Sequence, residues 1–163
     1  MKVLVAYASK HGSTEGIAKS IADRLRENGH EATPVRAEEV DDIGDIDAAV
    51  IGSAIYAGSW MKEATSLVER QTAALQRVPV WLFSSGPLGS EVKDEQEQPR
   101  QLGRLTDLLQ PRGHEVFFGA LDREKLGFGE RMLVKAVKAP EGDFRDWDAI
   151  WAWTDVISRE LND

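Results

Sequence analysis

Strand-like and helix-like patterns alternate along this chain from its first residues to its last, and such an alternation folds as a parallel sheet covered by helices on both faces. Lys2 to Ala8 is β-rich and almost continuously apolar, as a doubly covered central strand should be. From Thr14 to Asn28 the period changes: Ile17, Ile21 and Leu25 fall four apart with Ala18 and Ala22 beside them, giving one apolar helix face that Gly29 can close. The same reading predicts strands over 30–36, 47–54, 78–85 and 114–121, with the more polar 30–36 towards an edge. Helices are predicted over 61–75, 101–110 and 146–161. Five strands wound in the order 2-1-3-4-5 make an α/β, doubly wound parallel sheet, and 163 residues hold one such domain, residues 1–163.

Composition narrows the chemistry. The chain has 42% hydrophobic residues, enough for a real core, and 20 basic against 28 acidic residues, a formal charge of -8. That balance argues against nucleic-acid binding and leaves membrane contact at most peripheral. There are no cysteines, which excludes disulfides, thiolate nucleophiles, Cys-ligated zinc and cysteinyl iron-sulfur clusters, so redox chemistry needs a borrowed cofactor. The three histidines, His11, His30 and His114, are scattered and predict no metal site. The opening apolar run breaks at Ser9-Lys10-His11-Gly12, too early for a signal peptide, and no run approaches the ~18 apolar residues of a spanning helix; the expectation is a cytoplasmic protein.

In an open parallel sheet the ligand lies outside the carboxyl ends of the strands, where strand order reverses, here between the first and third. After the first strand, Ser9, Lys10, His11, Gly12, Ser13 and Thr14 lead into a helix. Three hydroxyls, a glycine and the free N–H groups of a helix start make an anion cradle suited to phosphate. Ser13 or Thr14 is also expected to cap the helix. No G-x-G-x-x-G follows the first strand and no G-x-x-x-x-G-K-[ST] occurs anywhere. A phosphoacceptor receiver domain is excluded as well, since Gly52-Ser53-Ala54 stands where its aspartate would be. After the third strand come Ala54, Ile55, Tyr56, Ala57, Gly58 and Trp60, and after the fourth Ser84, Ser85, Gly86, Pro87, Leu88 and Gly89. Small residues with backbone freedom beside Tyr56 and Trp60 suit a flat aromatic ligand held by backbone groups and stacked on a ring.

These three loops, in this order, resemble the flavodoxin family over the whole chain. Ser9 to Thr14 resembles its S/T-x-T-G-x-T loop for the phosphate of flavin mononucleotide, FMN, with His11 where a hydroxyl residue is usual. Val50 to Ile55 with Tyr56-Ala57-Gly58, then Gly119-Ala120-Leu121, the stretch through Met132 and Lys135, and Asp146-Trp147 resemble the flavodoxin-like subfamily that contains bacterial menaquinone-dependent protoporphyrinogen oxidase. The resemblance implies a flavodoxin-like fold, bound FMN, and electron transfer to or from a quinone or other small molecule, a heme precursor, or a redox protein. A deazaflavin coenzyme with a different tail is the alternative cofactor, and a carrier without its own substrate the alternative role. In a chain of charge -8 the anion of the reduced flavin is disfavoured, which predicts a low potential.

Other features carry milder expectations. Gly86 to Arg100 is a long polar loop, and Asp122 to Arg145 an insertion whose Leu126 to Val137 stretch is amphipathic and basic. Trp147, Trp151 and Trp153 share the last helix with Ile150, Thr154, Ile157 and Leu161 and are expected in the core. Asn28-Gly29-His30-Glu31 and Arg112-Gly113-His114-Glu115 both read as helix end, glycine, strand, which predicts His30 and His114 in turns away from the ligand end.

Overall fold

The computed structural model describes residues 1–86, 99–121, 124, 127, 128, 130, 132 and 142–163. Its elements are β1 (Lys2–Ala8), α1 (Ser13–Glu27), β2 (Glu31–Arg36), β3 (Ala48–Tyr56), β4 (Ser59–Trp60), α2 (Lys62–Arg70), α3 (Thr72–Leu75), β5 (Val80–Ser85), α4 (Leu102–Leu109), β6 (Gly113–Phe117), β7 (Ala120–Leu121), β8 (Gly142–Asp143) and α5 (Trp147–Asn162). The long strands lie in the order β2-β1-β3-β5-β6, all parallel, which is the expected 2-1-3-4-5 winding with β5 and β6 as the fourth and fifth strands. β2 takes an edge, where Pro34 removes a donor from the sheet at little cost.

Alternation along the strands divides the core in two. Val3, Val5, Tyr7, Trp81 and Phe83 face α1 and α5, against Ile17, Ile21, Leu25, Ile150, Ile157 and Leu161. Leu4, Ala6, Ile51 and Leu82 face the other way, against Leu67 and Val68 of α2, Leu75 of α3 and Leu105 and Leu109 of α4. On the first face Trp153 sets its edge against both Phe83 and Phe117, at centroid distances of 6.3 and 5.5 Å. Trp147 and Trp153 pack on this core as expected. Trp151 does not: it is 43% exposed and its indole N–H donates to Ser20 Oγ at 2.8 Å. Arg24 of α1 holds Asp155 of α5 through two 2.8 Å bonds, which keep the Asp155 carboxyl down at about 2.

Three local differences from the expected elements have physical causes. The predicted 61–75 helix is broken at Gln71, whose φ of -110° and ψ of 18° leave the helical well. The predicted fifth strand ends at Phe117; Ala120–Leu121 instead pairs antiparallel with Gly142–Asp143 in a separate small sheet. β3 overruns its predicted end and doubles back as a hairpin, with Tyr56 opposite Ser59 and Ile55 opposite Trp60. Its two turn residues, Ala57 and Gly58, both have positive φ, 50° and 76°. Such a turn matches the twist of a hairpin, and its first position disfavours alanine. Ala57→Asn should therefore stabilise the fold by about 1 kcal/mol, read as a shift in the urea midpoint.

His30 lies where α1 turns into β2, as expected, and is 6% exposed with neither ring nitrogen partnered among the described residues. Burial holds its pKa below the ordinary histidine value. As pH falls through about 6.5 the unfolded chain takes up this proton first, so the stability is complete above that pH and declines below it. His30→Phe should flatten the fall in urea midpoint between pH 8 and pH 5. His114, which burial shifts in the same direction, should add to the fall over the same range.

Candidate functional site

The register brings the three predicted loops to one end of the sheet: Ala8 pairs with Ser53, Ala54 with Ser85, and Ser85 with Phe117. The first loop turns at Gly12, which has a φ of 89° and whose N–H donates to Ser9 Oγ at 3.1 Å. α1 then starts with Gly12 as its cap, and no side-chain oxygen caps it. This corrects the expectation for Ser13 and Thr14. The Ser13 hydroxyl accepts the N–H of Ala120 at 2.8 Å. Thr14 Oγ1 is buried and has no hydrogen-bond partner among the described residues. The N–H groups of the first turn have no helical carbonyl to meet.

A buried hydroxyl without a partner costs about 1–3 kcal/mol. Thr14 bears that cost beside helix-start donors without a side-chain cap among the described residues and a left-handed glycine, and this set fits a phosphate. Lys10 and His11 turn to a different partner. Glu130 Oε1 stands 3.0 Å from Lys10 Nζ, and Glu130 Oε2 stands 2.5 Å from His11 Nε2. The hydrogen bond to Glu130 raises the Lys10 pKa, and that from Lys10 lowers the Glu130 carboxyl. The Lys10 ammonium also stands 4.4 Å from the centre of the Tyr56 ring.

The second loop is the β3–β4 hairpin. Tyr56 is 42% exposed at its tip. Ala54 and Ile55 are half-buried, and Gly58 accepts the N–H of Arg100 at its carbonyl, at 3.1 Å. Trp60 is 3% exposed: its indole N–H donates to Ser84 Oγ at 2.8 Å and its backbone N–H to Gln101 Oε1 at 3.0 Å. It supports the site from beneath, so the ring available for stacking is that of Tyr56. Ser84 and Ser85 are buried. Gly86 has a φ of 122°, and its N–H donates to the Phe117 carbonyl at 2.8 Å. Pro87, Leu88 and Gly89 lie outside the described residues, as does most of the amphipathic 126–137 stretch. Between the first two loops a cleft of about 520 Å³ is lined by Ser9, Lys10, Glu38, Tyr56, Trp60 and Lys62, among others.

Four residues escaped the sequence reading. His114 is the second residue of β6, at the strand's starting end as expected, yet its Nε2 reaches Ser84 Oγ at 2.9 Å and so links to Trp60 through Ser84. Arg145 donates to the Ser13 carbonyl at 3.3 Å while gripping Asp143. Ala120 and Glu130 complete the set. The repeated Gly-His pattern marked His114 without its direction, and no local signal marked the other three as partners of the first loop.

An open parallel sheet in the order β2-β1-β3-β5-β6, reversed between β1 and β3 and covered by helices on both faces, defines a flavodoxin-like α/β protein. The chain belongs to the flavodoxin family: the family model described as Flavodoxin domain matches residues 4–148. It is similar to protoporphyrinogen IX dehydrogenase [quinone] of Escherichia coli K12, 22% identical over 160 residues, covering 95% of this chain and 88% of that one. Among solved structures it resembles a flavodoxin from the domain Archaea, with a TM-score of 0.68 and 12% identity over 100% of both chains. It also resembles a cysteine-to-serine mutant of the flavodoxin from Pseudomonas aeruginosa, with a TM-score of 0.64 and 15% identity over 100% of both chains. Among the described residues no helix is long and apolar enough to cross a membrane.

Proposed function

We propose that this protein is a single-domain flavin oxidoreductase that binds FMN and passes electrons between it and a quinone or another small-molecule acceptor. The observation that carries the reading is Thr14: a buried, unpartnered hydroxyl beside the open donors of α1, which a ligand phosphate would satisfy. The backbone of Gly12 and the hydroxyls of Ser9, Ser13 and Thr14 would hold the phosphate. Ala54 to Gly58 would border the ring, with Tyr56 stacked on it, and Ser85 and Gly86 would border it from the third loop, whose Pro87, Leu88 and Gly89 are proposed cofactor contacts from the sequence alone. Bound flavin supplies the one- and two-electron chemistry that a cysteine-free chain lacks. The chain's own part is to exclude water, fix the ring and set its electrostatics.

Quinone as acceptor rests on the similarity to the Escherichia coli dehydrogenase, and a cytoplasmic location on the apolar pattern of the sequence. The charge of -8 favours a second reading, a carrier that docks to redox proteins through an acidic surface. The absorption spectrum of the purified protein tests the cofactor. Flavin maxima support FMN, a single band at the violet edge a deazaflavin, and a colourless protein that rejects both would overturn the proposal. Turnover with menadione then separates enzyme from carrier.

A further inference from the structure

The loop assigned to phosphate already holds an anion, contributed by the chain itself. Glu130 is 119 residues from His11 in sequence, yet its two oxygens engage Lys10 and His11 at 3.0 and 2.5 Å, and its side chain is only 23% exposed. The two loop side chains able to carry positive charge are therefore answered before any ligand arrives. Lys10 also stands against Tyr56, which ties this carboxylate through Lys10 to the β3–β4 hairpin as well as to the first loop.

We propose that Glu130 is a specificity-determining residue of the phosphate loop, one that weakens the binding of doubly charged phosphate groups, FMN's included, without abolishing it. A phosphate seated on the Gly12 turn and the start of α1 draws its attraction from backbone donors and hydroxyls. Lys10 and His11 lend it little, because Glu130 holds them. The carboxylate adds a repulsion that grows with each negative charge on the guest, so a dianionic monoester suffers twice the penalty of a monoanionic diester. Ligands with a singly charged tail are favoured relative to a loop bearing the same cations without the acid. This inference rests on the flavin reading for the identity of the guest and on Glu130 alone for the selectivity.

The test compares the wild-type protein with Glu130→Gln, which keeps the size and removes the charge, and with Glu130→Ala as a second variant. Binding of FMN, riboflavin and inorganic phosphate is measured at pH 8, where the phosphate groups are dianionic. Thermal melts establish that the variants are folded. Both variants should bind FMN and phosphate about tenfold more tightly, while riboflavin changes by less than about twofold. Unchanged or weaker FMN binding, or an equal gain for riboflavin, would overturn the proposal. If no flavin binds to any form, the flavin reading fails, and inorganic phosphate decides alone: tighter binding to the variants sustains the role of Glu130. Equal affinity, or no binding to any form, removes it.

Discussion

Gly52→Ala will lower the thermal midpoint by roughly 6–12 °C, the largest effect expected of a single added methyl group among the described residues. Gly52 lies in the middle of β3 directly opposite Phe83 of β5. A Cβ at position 52 would overlap Cζ, Cε1 and Cε2 of the Phe83 ring. The ring has little room to retreat, for Phe83 is fully buried and packs against Phe117 and Trp153. Forcing a methyl into such a core costs about 3 kcal/mol, and a domain of this size loses roughly 2–4 °C per kcal/mol. The control is the double variant with Phe83→Leu, which makes room for the methyl. The two substitutions together should cost less than the sum of their separate costs. Simple additivity would place the strain elsewhere.

Thr14→Val is expected to move stability and ligand binding in opposite directions. Valine keeps the shape of threonine and removes a buried oxygen that has no partner among the described residues. The ligand-free protein should gain about 1 kcal/mol in urea unfolding. FMN affinity should fall about 10- to 100-fold, because a hydrogen bond to a charged group contributes roughly 1.5–3 kcal/mol. Riboflavin, which lacks the phosphate, should bind the variant and the wild type alike. If Thr14 were only a packing residue, FMN and riboflavin would respond together.

The parallel sheet was legible because its long strands are covered on both faces and read as continuous apolar runs, and because α1 spaces Ile17, Ile21 and Leu25 four apart. Winding these elements brought the three loops to one end of the sheet. What escaped was set by contacts between distant residues. Trp60 looked like a stacking ring, but Ser84 and Gln101 take its two N–H groups and turn it into the core. The β3–β4 hairpin was hidden because Ala57 sits in a conformation alanine seldom adopts. No Gly or Pro announces the break at Gln71, and no local pattern could tie Glu130 to His11.

The ties on the first loop also impose an order on the making of the protein. Ser13 meets Ala120, His11 meets Glu130, and Ser13 meets Arg145, over sequence separations of 107, 119 and 132 residues. The loop is made more than a hundred residues ahead of the segment that holds these partners, and the bonds cannot form until that segment is present. Contacts of such long range are late events in folding. On the flavin reading, the cofactor would be captured only once Ala120, Glu130 and Arg145 are in place, and a chain without them would offer the loop without its clasp.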